Sequence, residues 1–95
     1  MIALAWTRLA LGDLDDVCAW TAAHRPVGEG ERLGARIVAA VEALRAFPER
    51  GRPGRISGTR EMVLPGTPFL IPYRLHQRRI EVLAVLHGAR AWPPR

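Results

Sequence analysis

Three short apolar segments separated by turn residues, between Gly58 and Arg90, most constrain what this chain can fold into. Residues 59–64, 69–75 and 80–87 are rich in β-branched and aliphatic side chains, which predicts three strands. Short turns join them, so the strands are expected to form an antiparallel meander. Pro72 lies inside the middle strand. Because proline cannot donate a hydrogen bond to a sheet, we expect a bulge or one unpaired side there.

Two amphipathic segments precede the meander. An apolar segment at 2–6 predicts a first strand, and Thr7 is suited to cap a helix over about 8–24. Apolar spacings of three and four residues predict a second helix over about 29–47. The apolar stripes consist of Leu11, Leu14, Val17, Cys18 and Thr21 in the first helix, and of Leu33, Ile37, Val41, Leu44 and Phe47 in the second.

The expected fold class is α+β, with an N-terminal strand and a helical hairpin packed on an antiparallel β-meander. A length of 95 residues allows one compact domain, 1–95, with a tail over 88–95. The segment 50–55 combines arginine with glycine and proline and has no apolar pattern, which indicates a loop.

Composition restricts the partners and the chemistry. The net charge is +5 and all fourteen basic residues are arginine, which predicts attraction to a polyanion or an acidic protein. A coding bias that replaces lysine throughout is an alternative explanation for the use of arginine alone. The positive charge has the same physical effect under both explanations. The lone Cys18 and the lack of a Cys/His cluster predict no disulfide, no metal site and no cofactor. Without a long apolar run or a signal-like N-terminus, we expect a cytoplasmic protein with no membrane partner.

Strand alternation divides the meander into two faces. One face carries Phe69, Ile71, Tyr73 and Leu75 on the middle strand and Ile80, Val82, Ala84 and Leu86 on the last. We expect the helices to cover that face. The other face is then exposed, with an apolar centre and charged ends that include His87. An exposed apolar patch with a polar rim is typical of an interface. The candidate partner-binding residues are Leu70, Arg74, Leu83, Val85 and, in the tail, Trp92. The alternative is that the tail 91–94 folds back over this face.

Four motifs carry a resemblance to a known family by their order and spacing along the chain. In chain order they are the Leu44-x-x-Phe47-Pro48-x-x-Gly51-Arg52 pattern after the second helix, Gly58–Val63, Pro68–Arg74 and Val85–Pro93. With the order of elements, the chain resembles the RelE/ParE family of bacterial type II toxins. The resemblance implies a small basic toxin that is neutralised in a hetero-oligomer by a cognate antitoxin.

The RelE-like branch of that family cleaves messenger RNA on the ribosome without a metal, through attack of a 2′-hydroxyl on the adjacent phosphate. The resemblance then implies His87 as the acid or base, because its ordinary pKa lies near neutrality. Arg60, Arg74 and Arg90 would be the catalytic cations that hold the phosphate.

Two departures weaken the nuclease interpretation. This chain has Pro68 and Phe69 where that branch usually has a basic residue at the start of the middle strand. It also has Gly88 where that branch usually has an aromatic residue, so a stacking platform for an RNA base is missing.

The ParE-like branch binds DNA gyrase and needs no catalytic residue of its own. His87 would then hold the strand end, and Arg60 and Arg74 would pair with Glu61 or Glu81 across strands. The departures favour ParE-like growth inhibition, so we expect a gyrase-binding toxin. Two alternatives stay open, namely a RelE-like endoribonuclease and an inactive relative that retains only antitoxin binding.

Overall fold

A computed structural model describes residues 2–88 and 92–93 of the chain. Within these described residues, two helices and six strands follow one another as β1 (Ala3–Trp6), α1 (Arg8–His24), α2 (Glu29–Ala43), β2 (Arg52–Pro53), β3 (Thr59–Val63), β4 (Phe69–His76), β5 (Arg79–Val82) and β6 (Leu86–His87).

The strands form one mixed sheet in the order β1-β5-β4-β3-β2, and β6 pairs with β4 beyond the end of β5. The predicted meander is present, because β3, β4 and β5 pair antiparallel in sequence order. The first strand, β1, adds itself parallel to β5, which was not predicted from the sequence. A second difference is β2, a two-residue edge strand inside the segment predicted to be a loop. The predicted α+β fold class is confirmed.

The two helices form the predicted hairpin. The hydroxyl of Thr7 caps α1 by accepting a hydrogen bond from the Ala10 amide at 3.1 Å. Gly30 lets α2 approach α1 closely, since a Cβ built there would lie 2.6 Å from the carbonyl oxygen of Cys18. The second helix ends at Ala43 instead of near residue 47. As a result Phe47, which was predicted to belong to the buried stripe, is 69% exposed.

Both helices cover the same face of the sheet. Ile37 and Val41 of α2 and Leu44, the residue that follows it, are fully buried against the sheet. Leu14 and Val17 of α1 pack at the edge of this core. The predicted stripe of α1 was partly wrong. Ala10 is its fully buried residue, whereas Leu11 is half exposed. In the part of the chain that the structure describes, no helix is both long and apolar enough to cross a membrane.

A bulge separates β5 from β6 opposite Pro72, where the sequence predicted one. Tyr73 pairs with Val82, while Leu70 pairs with Leu86, so three residues, 83–85, lie opposite the two residues 71–72. Pro72 has no N–H to donate at this point of the ladder. Its carbonyl still accepts a hydrogen bond from the Leu83 amide at 2.9 Å. One extra residue reverses the faces of every side chain after it.

Candidate functional site

The bulge changes which side chains of the last strand lie on the exposed face. Val85 joins the core under the helices, with 1% of its surface exposed. Ala84 and Leu86, predicted to lie under the helices, instead pack on the opposite face with Leu70. Trp92 packs against these three residues, as the alternative of a folded-back tail predicted.

The predicted solvent-facing patch of Leu70, Leu83 and Val85 is therefore wrong. Leu70 is 2% exposed, and Val85 lies on the other side of the sheet. Leu83 is half-buried, and its carbonyl accepts a hydrogen bond from the hydroxyl of Thr7 at 3.2 Å. Strict in-and-out alternation of side chains through residues 83–85 takes no account of the extra residue in the bulge. It therefore predicts the wrong face for the end of this strand.

Arg74 is exposed on the face away from the helices. Its guanidinium donates a hydrogen bond to Glu81 on β5 at 3.1 Å, which is one of the cross-strand pairs expected from the sequence. A surface pair of this kind adds little stability, so Arg74 stays available to an anionic partner.

Arg60 lies on the helix side of the sheet, because its cross-strand partner is the core residue Tyr73. Its guanidinium donates to the carbonyl oxygens of Glu49 at 3.1 Å and Gly51 at 2.8 Å. It is not paired with Glu61, so the expected charge pair on β3 is wrong for this residue. Arg60 instead ties the loop before β2 to β3.

Glu61 is a buried carboxylate for which no role of its own was predicted from the sequence. It is 2% exposed and accepts a hydrogen bond from the Arg55 amide at 2.8 Å. The guanidinium groups of Arg52 and Arg55 lie 3.5 and 3.7 Å from it. A buried charge needs such compensation, so Glu61 fixes the course of the arginine-rich loop before β3.

His87 lies at the end of β6 on the helix side and not on the face predicted for it. Its ring meets Phe69 of β4 edge-on, with the ring centroids 6.3 Å apart and the planes at 79°. The two rings, together with Asp16, Val17 and Trp20 of α1, line a depression of about 260 Å³.

The structure does not bring the four predicted catalytic residues together. His87 pairs with Phe69 at the start of β4, whereas Arg74 is five residues further along the same strand. At a rise of about 3.4 Å per residue, that is about 17 Å of strand. Arg60 lies beside Tyr73, near the same distant end and on the other face from Arg74. Arg90 falls outside the residues that the structure describes.

A groove runs between the helical hairpin and the β3–β4 turn and adjoins the depression at His87. Its volume is about 570 Å³. Three arginines and three apolar side chains are among the residues that line it. The arginines are Arg25, Arg32 and Arg36, and the apolar side chains are Trp20, Leu33 and Phe69.

The charge of this groove is mostly uncompensated. Arg32 pairs with Glu29 one turn earlier on α2, and Arg36 donates to the Pro65 carbonyl at 2.6 Å. Among the described residues, Arg25 has no carboxylate within 4.0 Å of its guanidinium. A groove with three guanidinium groups and one carboxylate favours an anionic ligand.

Trp20 is a large exposed aromatic residue of this groove. The residue is 55% exposed, and its indole stacks on the ring of His24 with centroids 4.3 Å apart. The groove was not predicted, because its residues come from two helices and a turn that are distant in sequence. The signal that was present is a tryptophan beside the apolar stripe of α1 instead of within it.

Comparison with known proteins agrees with the fold. Residues 4–92 match the model of the family described as ParE toxin of type II toxin-antitoxin system, parDE. "Putative toxin Y4kP" of Sinorhizobium fredii is 44% identical over 90 residues, covering 95% of this chain and 92% of that protein.

Two solved structures are similar over nearly the whole chain. The chromosomal ParDE system of P. aeruginosa has a chain that superposes with a TM-score of 0.84 at 28% identity, covering 92% of this chain and 96% of that one. The RelBE2 toxin-antitoxin complex of Mycobacterium tuberculosis gives a TM-score of 0.68 at 25% identity, with coverages of 90% and 96%. The chain therefore belongs to the ParE toxin family of type II toxin-antitoxin systems.

Proposed function

We propose that the protein arrests growth by binding DNA gyrase, without cleaving RNA, and that a cognate antitoxin neutralises it by occupying the groove beside Trp20. The observation that carries the first part is the separation of His87 from Arg60 and Arg74. The family match supports a toxin, and the choice of target rests on this geometry.

Metal-free cleavage of RNA needs its acid, base and cations around one phosphate group. A general acid or base acts within hydrogen-bond reach of the proton that it moves, about 3 Å. Cations that stabilise the developing charge must lie equally close to the phosphate oxygens. Arg60 and Arg74 lie about four and five residues along β4 from His87, and Arg60 already donates to two carbonyl oxygens. A toxin that acts through binding needs none of this convergence.

The groove supports the second part of the proposal. Its three arginines fit the carboxylates of an acidic segment, and Trp20, Leu33 and Phe69 fit the apolar side of an amphipathic helix. The similar ParDE and RelBE2 chains come from toxin-antitoxin systems, which supports a partner of this kind. The partner is thus expected against the helical hairpin and not on the open sheet face.

A second candidate function is RelE-like cleavage of ribosome-bound messenger RNA. The observation that favours it is that His87 adjoins the same groove as Trp20 and three arginines, which provide stacking and charge. Cleavage would then use the groove cations in place of Arg60 and Arg74.

Induction of the toxin in cells tests the target. We expect loss of gyrase supercoiling with intact ribosome-bound messenger RNA, and His87→Ala is expected to leave most of the growth arrest. Ser57→Ala, in an exposed loop, is the control substitution. Cleaved messenger RNA that disappears with His87→Ala would replace the gyrase proposal by the nuclease. Neither effect, with antitoxin binding retained, would identify an inactive relative.

A further inference from the structure

The turn between β4 and β5 carries a cluster of exposed cations at the far end of the sheet from the groove. Within residues 74–81 the chain has three arginines and one glutamate. His76, Gln77, Arg78 and Arg79 are all exposed. They line a depression of about 590 Å³ together with Ala3, Arg74 and Glu81.

The backbone of this turn has a conformation that glycine and asparagine adopt more easily than glutamine and arginine. Gln77 and Arg78 have φ angles of 49° and 60°, in the left-handed region. Two-residue hairpin turns of this geometry favour Asn-Gly, because glycine has no Cβ to clash there. An arginine at the second position costs stability, and strain at such a position suggests a function for its side chain.

Most of the positive charge of the turn is not neutralised by carboxylates of the described chain. Arg74 pairs with Glu81, but in the described part of the chain neither Arg78 nor Arg79 has a carboxylate within 4.0 Å. Arg79 lies opposite His76 at the start of the turn's return strand, and the exposed side chains of Arg78 and Arg79 line the same depression as Arg74. This arrangement offers several bidentate donors within one small area.

We propose that this hairpin, which we call the arginine turn (residues 74–79), binds the phosphate backbone of a nucleic acid. Phosphates that recur along a strand match a cluster of separate guanidinium groups. An acidic protein is the less suitable ligand, because the exposed residues of the turn provide no large apolar side chain to anchor a protein interface.

The arginine turn is separate from the groove. The two ends of β4, at Phe69 and His76, are about 24 Å apart at about 3.4 Å per residue. Nucleic-acid binding is therefore expected whether or not a partner occupies the groove, and it does not rest on the choice of gyrase as the target.

Fluorescence anisotropy of a short labelled duplex DNA, measured over a salt series, tests the proposal, with a single-stranded RNA of the same sequence as a second probe. Arg78→Gln with Arg79→Gln removes two contacts, so the slope of log K against log salt should fall by about 1.8 for duplex DNA and about 1.4 for single-stranded RNA. At about 0.1 M salt, each lost duplex contact corresponds to roughly eightfold weaker binding. The probe that binds more tightly identifies the type of nucleic acid.

The matched control is Arg8→Gln with Arg50→Gln, two exposed arginines away from the turn, which changes the net charge by the same amount. An equal loss in this control would overturn the proposal, because bulk charge would explain the binding. A polyglutamate peptide that displaces the DNA at equal charge concentration would overturn it in favour of an acidic protein ligand.

The variant Arg78→Gly distinguishes the loss of a phosphate contact from a loss of folding. Glycine relieves the strained φ, so the melting temperature should be unchanged or higher, while binding becomes roughly eightfold weaker at about 0.1 M salt. Unchanged binding by this folded variant would contradict a phosphate contact at Arg78.

Discussion

The carboxylate of Asp13 in α1 accepts a hydrogen bond from the backbone N–H of Val85 at 3.0 Å, across 72 residues of sequence. Val85 is the last of the three residues in the bulge between β5 and β6. Val85 is not paired with a residue of β4, and its amide donates to the Asp13 carboxylate instead. The contact therefore holds the bulge that places His87 on the helix side of the sheet.

Asp13→Ala is expected to destabilise the protein by about 1–3 kcal/mol, because it leaves the Val85 amide without an acceptor in a largely buried position. Urea unfolding followed by circular dichroism measures the change. Asp15→Ala, an exposed carboxylate on the same helix, is the control and should stay within about 0.5 kcal/mol of the parent. Equal losses in both variants would argue against a specific role of Asp13.

Two glycines of the helices should respond in opposite directions to alanine. A Cβ at Gly30 would lie 2.6 Å from the Cys18 carbonyl oxygen and 3.1 Å from the Cβ of Ala22, so Gly30→Ala should cost about 1–3 kcal/mol. A Cβ at Gly12 would meet no other part of the described chain within 4 Å, and Gly12→Ala should stabilise α1 by about 0.5–1 kcal/mol. Thermal unfolding of the two variants checks the pair, and a loss at Gly12 would contradict it.

The single tyrosine of the chain, Tyr73, connects β4 to the loop before β2. Its hydroxyl donates to the Pro48 carbonyl at 2.7 Å and accepts from the Gly51 amide at 2.8 Å. Tyr73→Phe keeps the ring but removes both hydrogen bonds, so we expect a loss of about 1–3 kcal/mol in the free energy of unfolding. Denaturant unfolding measures it. A neutral substitution would mean that water replaces the hydroxyl.

The same residue predicts how stability depends on pH in alkaline solution. Burial raises the pKa of Tyr73 above its ordinary value of about 10, and the hydrogen bond from the Gly51 amide offsets part of this. Below that ordinary value both states are protonated and this contribution is fully present. As the pH rises further, the unfolded chain ionises first, so stability is lost up to and through the raised pKa of the folded state.

Unfolding measured between neutral and strongly alkaline pH tests this dependence in a Cys18→Ala background. That background is needed because burial, and then Asp15, also raises the pKa of the Cys18 thiol. Adding Tyr73→Phe should remove most of the alkaline decline. An unchanged decline would assign it to another group.

Trp20→Ala is expected to weaken binding of the cognate antitoxin by about 2 kcal/mol or more, while the isolated toxin stays folded and toxic. The reason is that an exposed aromatic residue in a groove is typical of an interface anchor. Calorimetry with the co-encoded antitoxin measures the affinity. Leu11→Ala, a half-exposed apolar residue of the same helix, is the control. Equal affinities of the parent and Trp20→Ala would exclude the groove as the antitoxin site.

Local patterns in the sequence were sufficient for the two helices, for β1 and the meander strands, and for the family, whereas the short edge strand β2 was missed. The period of the apolar residues predicted both helices, Thr7 predicted the start of α1, and Pro72 predicted a bulge. These signals are local, because capping, helical spacing and the missing donor of proline act over a few residues. The end of α2 was missed because its last turn loosens after Ala43 without any local stop signal before Pro48.

What the sequence by itself determined is therefore the α+β arrangement, the basic charge and the place of the chain in a toxin family. Only the tertiary structure decided which face each side chain of the last strand occupies, where His87 lies and which residues form the groove. The physical reason is that one extra residue between β5 and β6 reverses the alternation after it. Its position depends on a carboxylate 72 residues away, together with a proline on the neighbouring strand.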